Sequence, residues 1–243
     1  MTTRQAGVPR PIYELVEVSK SYGEKRVLDR LSFDVPAGSS LVIMGRSGSG
    51  KSVTLRLMDG LEKPEEGRIL FDGTDIVPLR ERDLYPMRHR VAMLFQGGAL
   101  FDSMTVFENL AFQLRRHSDL DEDEIRERVS ETLGLVELEG VEERMPSALS
   151  GGMRKRAALA RSLIMEPEVV LFDEPTTGLD PVTSATIGQL IRSIQNRLKM
   201  TSVVVTHDIP LARRVGDLVA FLQDGGLAFL GTWEEADSSS SEA

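Results

Sequence analysis

Gly45-Arg46-Ser47-Gly48-Ser49-Gly50-Lys51-Ser52 is the stretch from which the rest of the chain can be read. Before it, Ser40-Leu41-Val42-Ile43-Met44 is a short apolar run that reads as a buried strand. After it, Val53-Thr54-Leu55-Arg56-Leu57-Met58 reads as the opening of a helix. A glycine-rich loop between strand and helix, ending in Gly-Lys-Ser, is the phosphate-binding or Walker A pattern. The glycines let successive backbone N–H groups turn toward one anion, and the helix dipole adds positive potential there. Lys51 can then reach β- and γ-phosphates, and the Ser52 hydroxyl can ligate Mg²⁺. A nucleoside triphosphate with Mg²⁺ is the expected ligand. Gly45, Arg46, Ser47, Gly48, Ser49, Gly50, Lys51, Ser52 and Val53 are its candidate contacts.

Outward from this loop, the composition narrows the choices. The 243 residues allow one large domain, and a hydrophobic share of 41% is enough for its core. A net charge of −9 argues against nucleic acid as a main partner, because phosphate neutralisation needs a basic surface. Acid collects at residues 119–143, which read as solvated helix faces. Without cysteine there is no disulfide framework and no thiolate metal site. Residues 1–10 lack the apolar core of a signal peptide, and no apolar run is long enough to span a bilayer. A role at a membrane would need another protein to hold the chain there.

Along the chain, residues 13–18 and 27–35 read as strands, with a turn at 19–23 between them. Residues 68–71 read as a short strand, 80–87 as a short helix and 91–95 as an apolar strand ending at Gln96. From 97 to 165 the texture is helical, with Ile125, Val129, Thr132 and Leu133 on one face of an amphipathic helix. Residues 152–164 are a second helix, rich in Ala, Leu, Lys and Arg. Strand and helix then alternate: 169–172, 182–198, 202–205, and a hairpin over 218–230. The ends, 1–10 and 236–243, read as flexible.

Four apolar residues lead into Asp173-Glu174, a Walker B pattern. The strand delivers Asp173 to its C-terminal end, where it can hold the metal, and Glu174 can polarise a water aimed at the γ-phosphate. Leu149-Ser150-Gly151-Gly152-Met153 opens the Ala-rich helix and makes a second candidate anion site at a helix start. Taken alone it would be a simple helix cap.

With the loop, the acid pair and this second glycine motif together, the chain resembles an ATP-binding cassette (ABC) transporter ATPase over roughly residues 12–232. Leu149 to Met153 match the ABC signature, Gln96 the glutamine loop, Gly178-Leu179-Asp180 the D-loop and His207 the switch histidine. Tyr22 matches the aromatic that stacks on adenine. The resemblance implies an α/β fold: a P-loop NTPase (RecA-like) ABC ATPase core over 11–232, with an antiparallel β subdomain and an α-helical insert at 97–165. It implies a homodimer in which each ATP lies between one subunit's P-loop and the other's Ser150, Gly151 and Gly152. Glu174, His207 and Gln96 would be catalytic, and Ser52, Gln96 and Asp173 would hold Mg²⁺. An integral-membrane permease would grip residues 97–114, on the cytoplasmic face of the inner membrane.

Two stretches depart from the commonest pattern of that family. The signature runs on as Met153-Arg154-Lys155-Arg156, and Gln96 is followed by Gly97-Gly98-Ala99-Leu100-Phe101-Asp102-Ser103. Together they resemble the ATPases of MCE-type lipid transporters such as the Mla phospholipid system. That would add an MCE-domain lipid-binding protein and a small regulatory subunit as partners. Another importer, such as one for polar amino acids, or a lipoprotein-release exporter, is the alternative. DNA-repair and translation members need a coiled-coil insertion or two fused cassettes, for which 243 residues leave no room.

Overall fold

The computed structural model describes residues 10–239; the expectation of a flexible stretch at 1–9 and 240–243 lies outside the described residues. Two sheets stack against each other. The smaller is antiparallel and contains β1 (Pro11–Tyr22), β2 (Lys25–Pro36), β4 (Glu66–Phe71) and β5 (Thr74–Asp75), in the order β2-β1-β4-β5. The larger contains β3 (Ser40–Gly45), β6 (Val91–Leu94), β7 (Val169–Asp173), β8 (Thr201–Val205), β9 (Leu218–Gln223) and β10 (Gly226–Gly231). Its order is β10-β9-β3-β8-β7-β6, parallel throughout except for the antiparallel β9–β10 hairpin.

Both faces of the larger sheet are covered, which is why its strands are continuous apolar runs rather than alternating ones. Leu41 and Ile43 of β3, Val169 and Leu171 of β7, and Val203 and Val205 of β8 face the smaller sheet and α1 (Lys51–Met58). Their neighbours Val42, Met44, Val170, Phe172 and Val204 face the other helices. Those are α3 (Val106–His117), α4 (Glu122–Leu135), α5 (Gly151–Leu163), α6 (Pro181–Leu198) and α7 (Ile209–Val215). A short α2 (Tyr85–Arg88) precedes β6.

A buried polar cluster ties the middle of the larger sheet to α6. Gln195 Nε2 donates to Ser40 Oγ at 3.0 Å and Ser202 Oγ at 2.7 Å, and the two hydroxyls lie 2.8 Å apart. Ser40 and Ser202 are register partners in β3 and β8, so the bond fixes the strands that carry the two halves of the site. Helix starts follow from sequence. Thr105 with Glu108 and Asp121 with Glu124 form capping boxes, each cap being worth about 1 kcal/mol.

Three sequence expectations need correction. The turn expected at 19–23 is strand as far as Tyr22, because Lys20, Ser21 and Tyr22 pair with Leu28, Arg26 and Lys25. A helix absent from the sequence reading, α7, follows β8 directly, with Asp208 as its cap. The tail read as flexible from 236 begins as a helix, α8 (Trp233–Ser239). Trp233 Nε1 donates to the Gly216 carbonyl at 3.2 Å, Arg213 pairs with Asp237 and lies over the indole at 4.8 Å, and Ala236 is buried. Among the described residues no helix is long and apolar enough to cross a membrane.

Candidate nucleotide site

The site lies at the C-terminal ends of β3, β7 and β8, where ligands bind in open parallel sheets. Strand β8 separates β3 from β7, so residues leaving those two strands start roughly 10 Å apart. The first turn of α1 spans that gap. Ser52 Oγ donates to Asp173 Oδ1 at 2.8 Å.

Two glycines make the loop possible. Gly50 has φ +98°, and a Cβ there would stand 2.4 Å from the Leu28 side chain. Gly45 has φ +154°, and its Cβ would stand 2.4 Å from the Leu222 carbonyl oxygen. Only glycine lets the loop close down on β2 and β9 at those points. Lys51 is buried and folds back over the loop, donating to the carbonyls of Gly45 at 2.9 Å and Arg46 at 3.1 Å. Ser49 Oγ is buried with no hydrogen-bond partner. An orphaned donor and a lysine held only by carbonyls, at a helix N-terminus, fit a phosphate group. A cleft of about 690 Å³ opens beside the loop, lined by Gly45 to Ser49, by Lys25 to Val27 and by the β9–β10 turn.

The carboxylates differ in setting. Asp173 is buried, and its pKa is raised by that burial; the Ser52 hydrogen bond and Lys51 oppose the rise while Glu174 adds to it. Glu174 follows at φ +49°, a left-handed conformation that turns its side chain away from the strand. Both its oxygens lie 2.9 Å from His207 Nδ1, and Thr177 Oγ1 donates to Oε2 at 3.3 Å. The imidazole is exposed, whereas the Glu174 side chain beneath it is mostly buried. No group of three or more His, Cys, Asp or Glu stands ready for a metal among the described residues. Ser52 and Asp173 present two converging oxygens instead, which suits Mg²⁺, an ion that takes one or two protein oxygens plus phosphate and water.

Other predicted residues lie elsewhere. Tyr22 is exposed, and its hydroxyl donates to Glu62, itself paired with Arg56; it does not line the P-loop cleft. Val53 buries its side chain in the core, which leaves only its backbone N–H for a ligand. Gln96 is exposed just past β6, and its carbonyl accepts from Lys155 Nζ. Ser150 caps α5 by accepting from the Met153 N–H at 3.3 Å, and Gly151 and Gly152 lie against Leu179 and Thr183. Signature and D-loop therefore form one patch, apart from the P-loop cleft of the same chain. Sequence reasoning missed Thr177 as a partner of Glu174, although its place three residues on in Glu-Pro-Thr-Thr allows such a bond.

Comparison with known proteins agrees with this geometry. The family described as "ABC transporter" matches residues 28–177. The chain is 45% identical over 221 residues to "Probable ribonucleotide transport ATP-binding protein mkl" of Mycobacterium leprae, covering 91% of this chain but 64% of that protein. It thus spans under two thirds of the mycobacterial relative's length. It is 42% identical over 224 residues to "Intermembrane phospholipid transport system ATP-binding protein MlaF" of Haemophilus influenzae, covering 92% and 85%. Among solved structures, a dimer of the ATP-binding cassette MJ0796 in a post-hydrolysis state with ADP and Pi superposes at a TM-score of 0.83. That match is 34% identical and covers 90% of this chain and 98% of the other. By its P-loop, Walker B acids, signature helix and these relationships, the chain belongs to the ABC transporter family.

Proposed function

We propose that this chain is the ATP-hydrolysing subunit of a transporter that moves phospholipid through an integral-membrane permease. The observation that carries hydrolysis is the pairing of Ser52 with Asp173 beside Glu174 and His207. Ser52 and Asp173, with Gln96, would hold Mg²⁺, which neutralises charge on the phosphates when bound. Lys51 exchanges its two loop carbonyls for phosphate oxygens. Glu174 orients the attacking water and takes its proton, an effect worth ~10²–10⁴ in rate. His207 keeps the carboxylate in place. Ser150, Gly151 and Gly152 sit beside Leu179 and Thr183, at the D-loop, and serve the nucleotide of a second copy. The subunit then sits on the cytoplasmic face of the inner membrane, held there by the permease.

The lipid reading rests on the match to the phospholipid ATPase, which extends over 85% of that protein. A second reading, ribonucleotide transport, is favoured by the 45% identity to the mycobacterial protein. One experiment separates them. The subunit is purified with its permease in lipid-free detergent micelles, and ATP turnover is followed with phospholipid or ribonucleotide added as the cargo. Stimulation by phospholipid alone supports the first reading; stimulation by ribonucleotide alone replaces it.

A further inference from the structure

The chain has three histidines and no cysteine, and two of the three meet across the fold. His89 closes α2, just before β6, and its backbone N–H donates to the Tyr85 carbonyl at 3.1 Å. His117 is the last residue of α3, in the helical insert. Their ring centroids lie 5.1 Å apart, with the planes at 84°. Both residues line a cleft of about 430 Å³ between the sheet and the insert, and Gln113 lines it too.

That spacing matches the one a shared metal imposes. Zn²⁺ takes histidine nitrogens at about 2.1 Å in a tetrahedral arrangement, and an imidazole's centre lies about 1.1 Å behind its nitrogen. Two rings on one such ion therefore have centroids roughly 5.2 Å apart. Both imidazoles are exposed, and neither makes a side-chain hydrogen bond or ion pair among the described residues. Each can thus turn about χ2 to face the other without breaking a bond. Gln113 stands one turn before His117 on the same helix face, so its amide oxygen is a third donor, and water can complete the shell. The negative end of the α3 dipole favours a cation at His117 and offsets the neighbouring Arg116. Anchored backbone carries both rings: Leu84 and Met87 are buried ahead of His89, and Leu110, Ala111 and Leu114 ahead of His117. Imidazole nitrogens suit Zn²⁺, whereas Mg²⁺ takes oxygens.

We propose that His89 and His117, with the Gln113 amide oxygen, form a Zn²⁺ site apart from the Mg²⁺ site at Ser52 and Asp173. The bound ion spans the cleft and clasps the end of α3 to the segment entering β6. Neither the site nor the clasp depends on the ATPase reading, and both are measured on the isolated chain.

ZnCl₂ is titrated calorimetrically into that chain, with excess Mg²⁺ present to occupy the carboxylates. His89→Gln and His117→Gln should each weaken Zn²⁺ binding at least ~10-fold, the lower end of what loss of an outer-shell partner already costs. His207→Gln should bind as the parent does. Because positions 89 and 117 are exposed, the metal-free Tm of their variants should stay within about 2 °C of the parent. Zn²⁺ should slow amide exchange at residues 114–117 and 89–91 together. No binding to the parent, or undiminished binding in either variant, overturns the site. Loss of binding in His207→Gln also overturns it, by placing the ion on Glu174 and His207. Slowed exchange on one side of the cleft alone overturns the clasp.

Discussion

His207 Nδ1 lies 2.9 Å from both carboxylate oxygens of Glu174, so a residue just past the end of β8 holds the acid that follows β7. The two strands are neighbours, and Glu174 N–H donates to the Val205 carbonyl at 2.9 Å. The hydrogen bonds of this carboxylate go to His207, Thr177 and Thr206, and among the described residues none goes to the phosphate loop. Loss of its charge should therefore affect chemistry and not nucleotide binding. Glu174→Gln should retain ATP affinity and slow turnover at least ~10²-fold in the assembled transporter. Near-normal turnover would remove Glu174 from the role of general base.

Sharing of each nucleotide between chains predicts an asymmetric result. A Lys51→Ala chain paired with a Ser150→Arg chain places both lesions at one interface and leaves the other intact. Cross-linked mixed dimers should hold ATP at one site only, as counted by equilibrium dialysis. Two equally damaged sites would show that Ser150 acts within its own chain.

Phe101 and Phe112 stay 40% and 41% exposed with their rings 5.6 Å apart, whereas Val106, Phe107 and Leu110 turn into the core. The apolar segment at 97–114 is thus split between packing and surface, and the exposed pair fits a partner. Phe101→Asp should abolish co-purification with the permease while the isolated chain keeps its thermal transition and binds ATP. Loss of that transition would assign Phe101 to the core, and normal co-purification would place the docking surface elsewhere.

Asp59, just past α1, is 8% exposed, and its burial raises the pKa to about 7 against a weaker lowering by Arg88. The unfolded carboxyl titrates near 3.9, so the native state binds more protons between roughly pH 4 and 7. Stability contributed by this group therefore falls as pH rises through that window and levels off above it. Asp59→Asn should raise Tm at pH 8, with a ceiling of ~4 kcal/mol, and change it little at pH 4. An unchanged pH slope in the variant would assign the titration to another group.

The sequence was most legible where the chemistry is local. Gly45 to Ser52 carry their conformation in their own residue types, and β3, β7 and β8 announce themselves as apolar runs between turns. What escaped was held from a distance. α7 has only seven residues and begins Ile209-Pro210, too short for a helical period to show. α8 reads as a serine-acid tail until Arg213, Gly216 and the core around Ala236 are brought to it by the fold. The bonds of Lys155 and Arg161 go to main-chain carbonyls, which every residue has, so nothing in the sequence marks the partner. At Tyr22 the resemblance implies a contact with adenine, while the partner of its hydroxyl in the structure, Glu62, lies forty residues away and is marked by nothing in the sequence.

The indole at position 233 gives the molecule an optical probe of its own. It is the single tryptophan of the chain, half-buried under a guanidinium of α7, the helix that starts two residues after His207. The Arg213 guanidinium lies 4.8 Å from the ring and the Gly216 carbonyl accepts from the indole N–H, so the ring is fastened to the C-terminal end of α7. A tilt of α7 relative to α8 would change both contacts and with them the polarity around the ring. Emission at this one residue is therefore expected to report displacement of α7 in unlabelled protein.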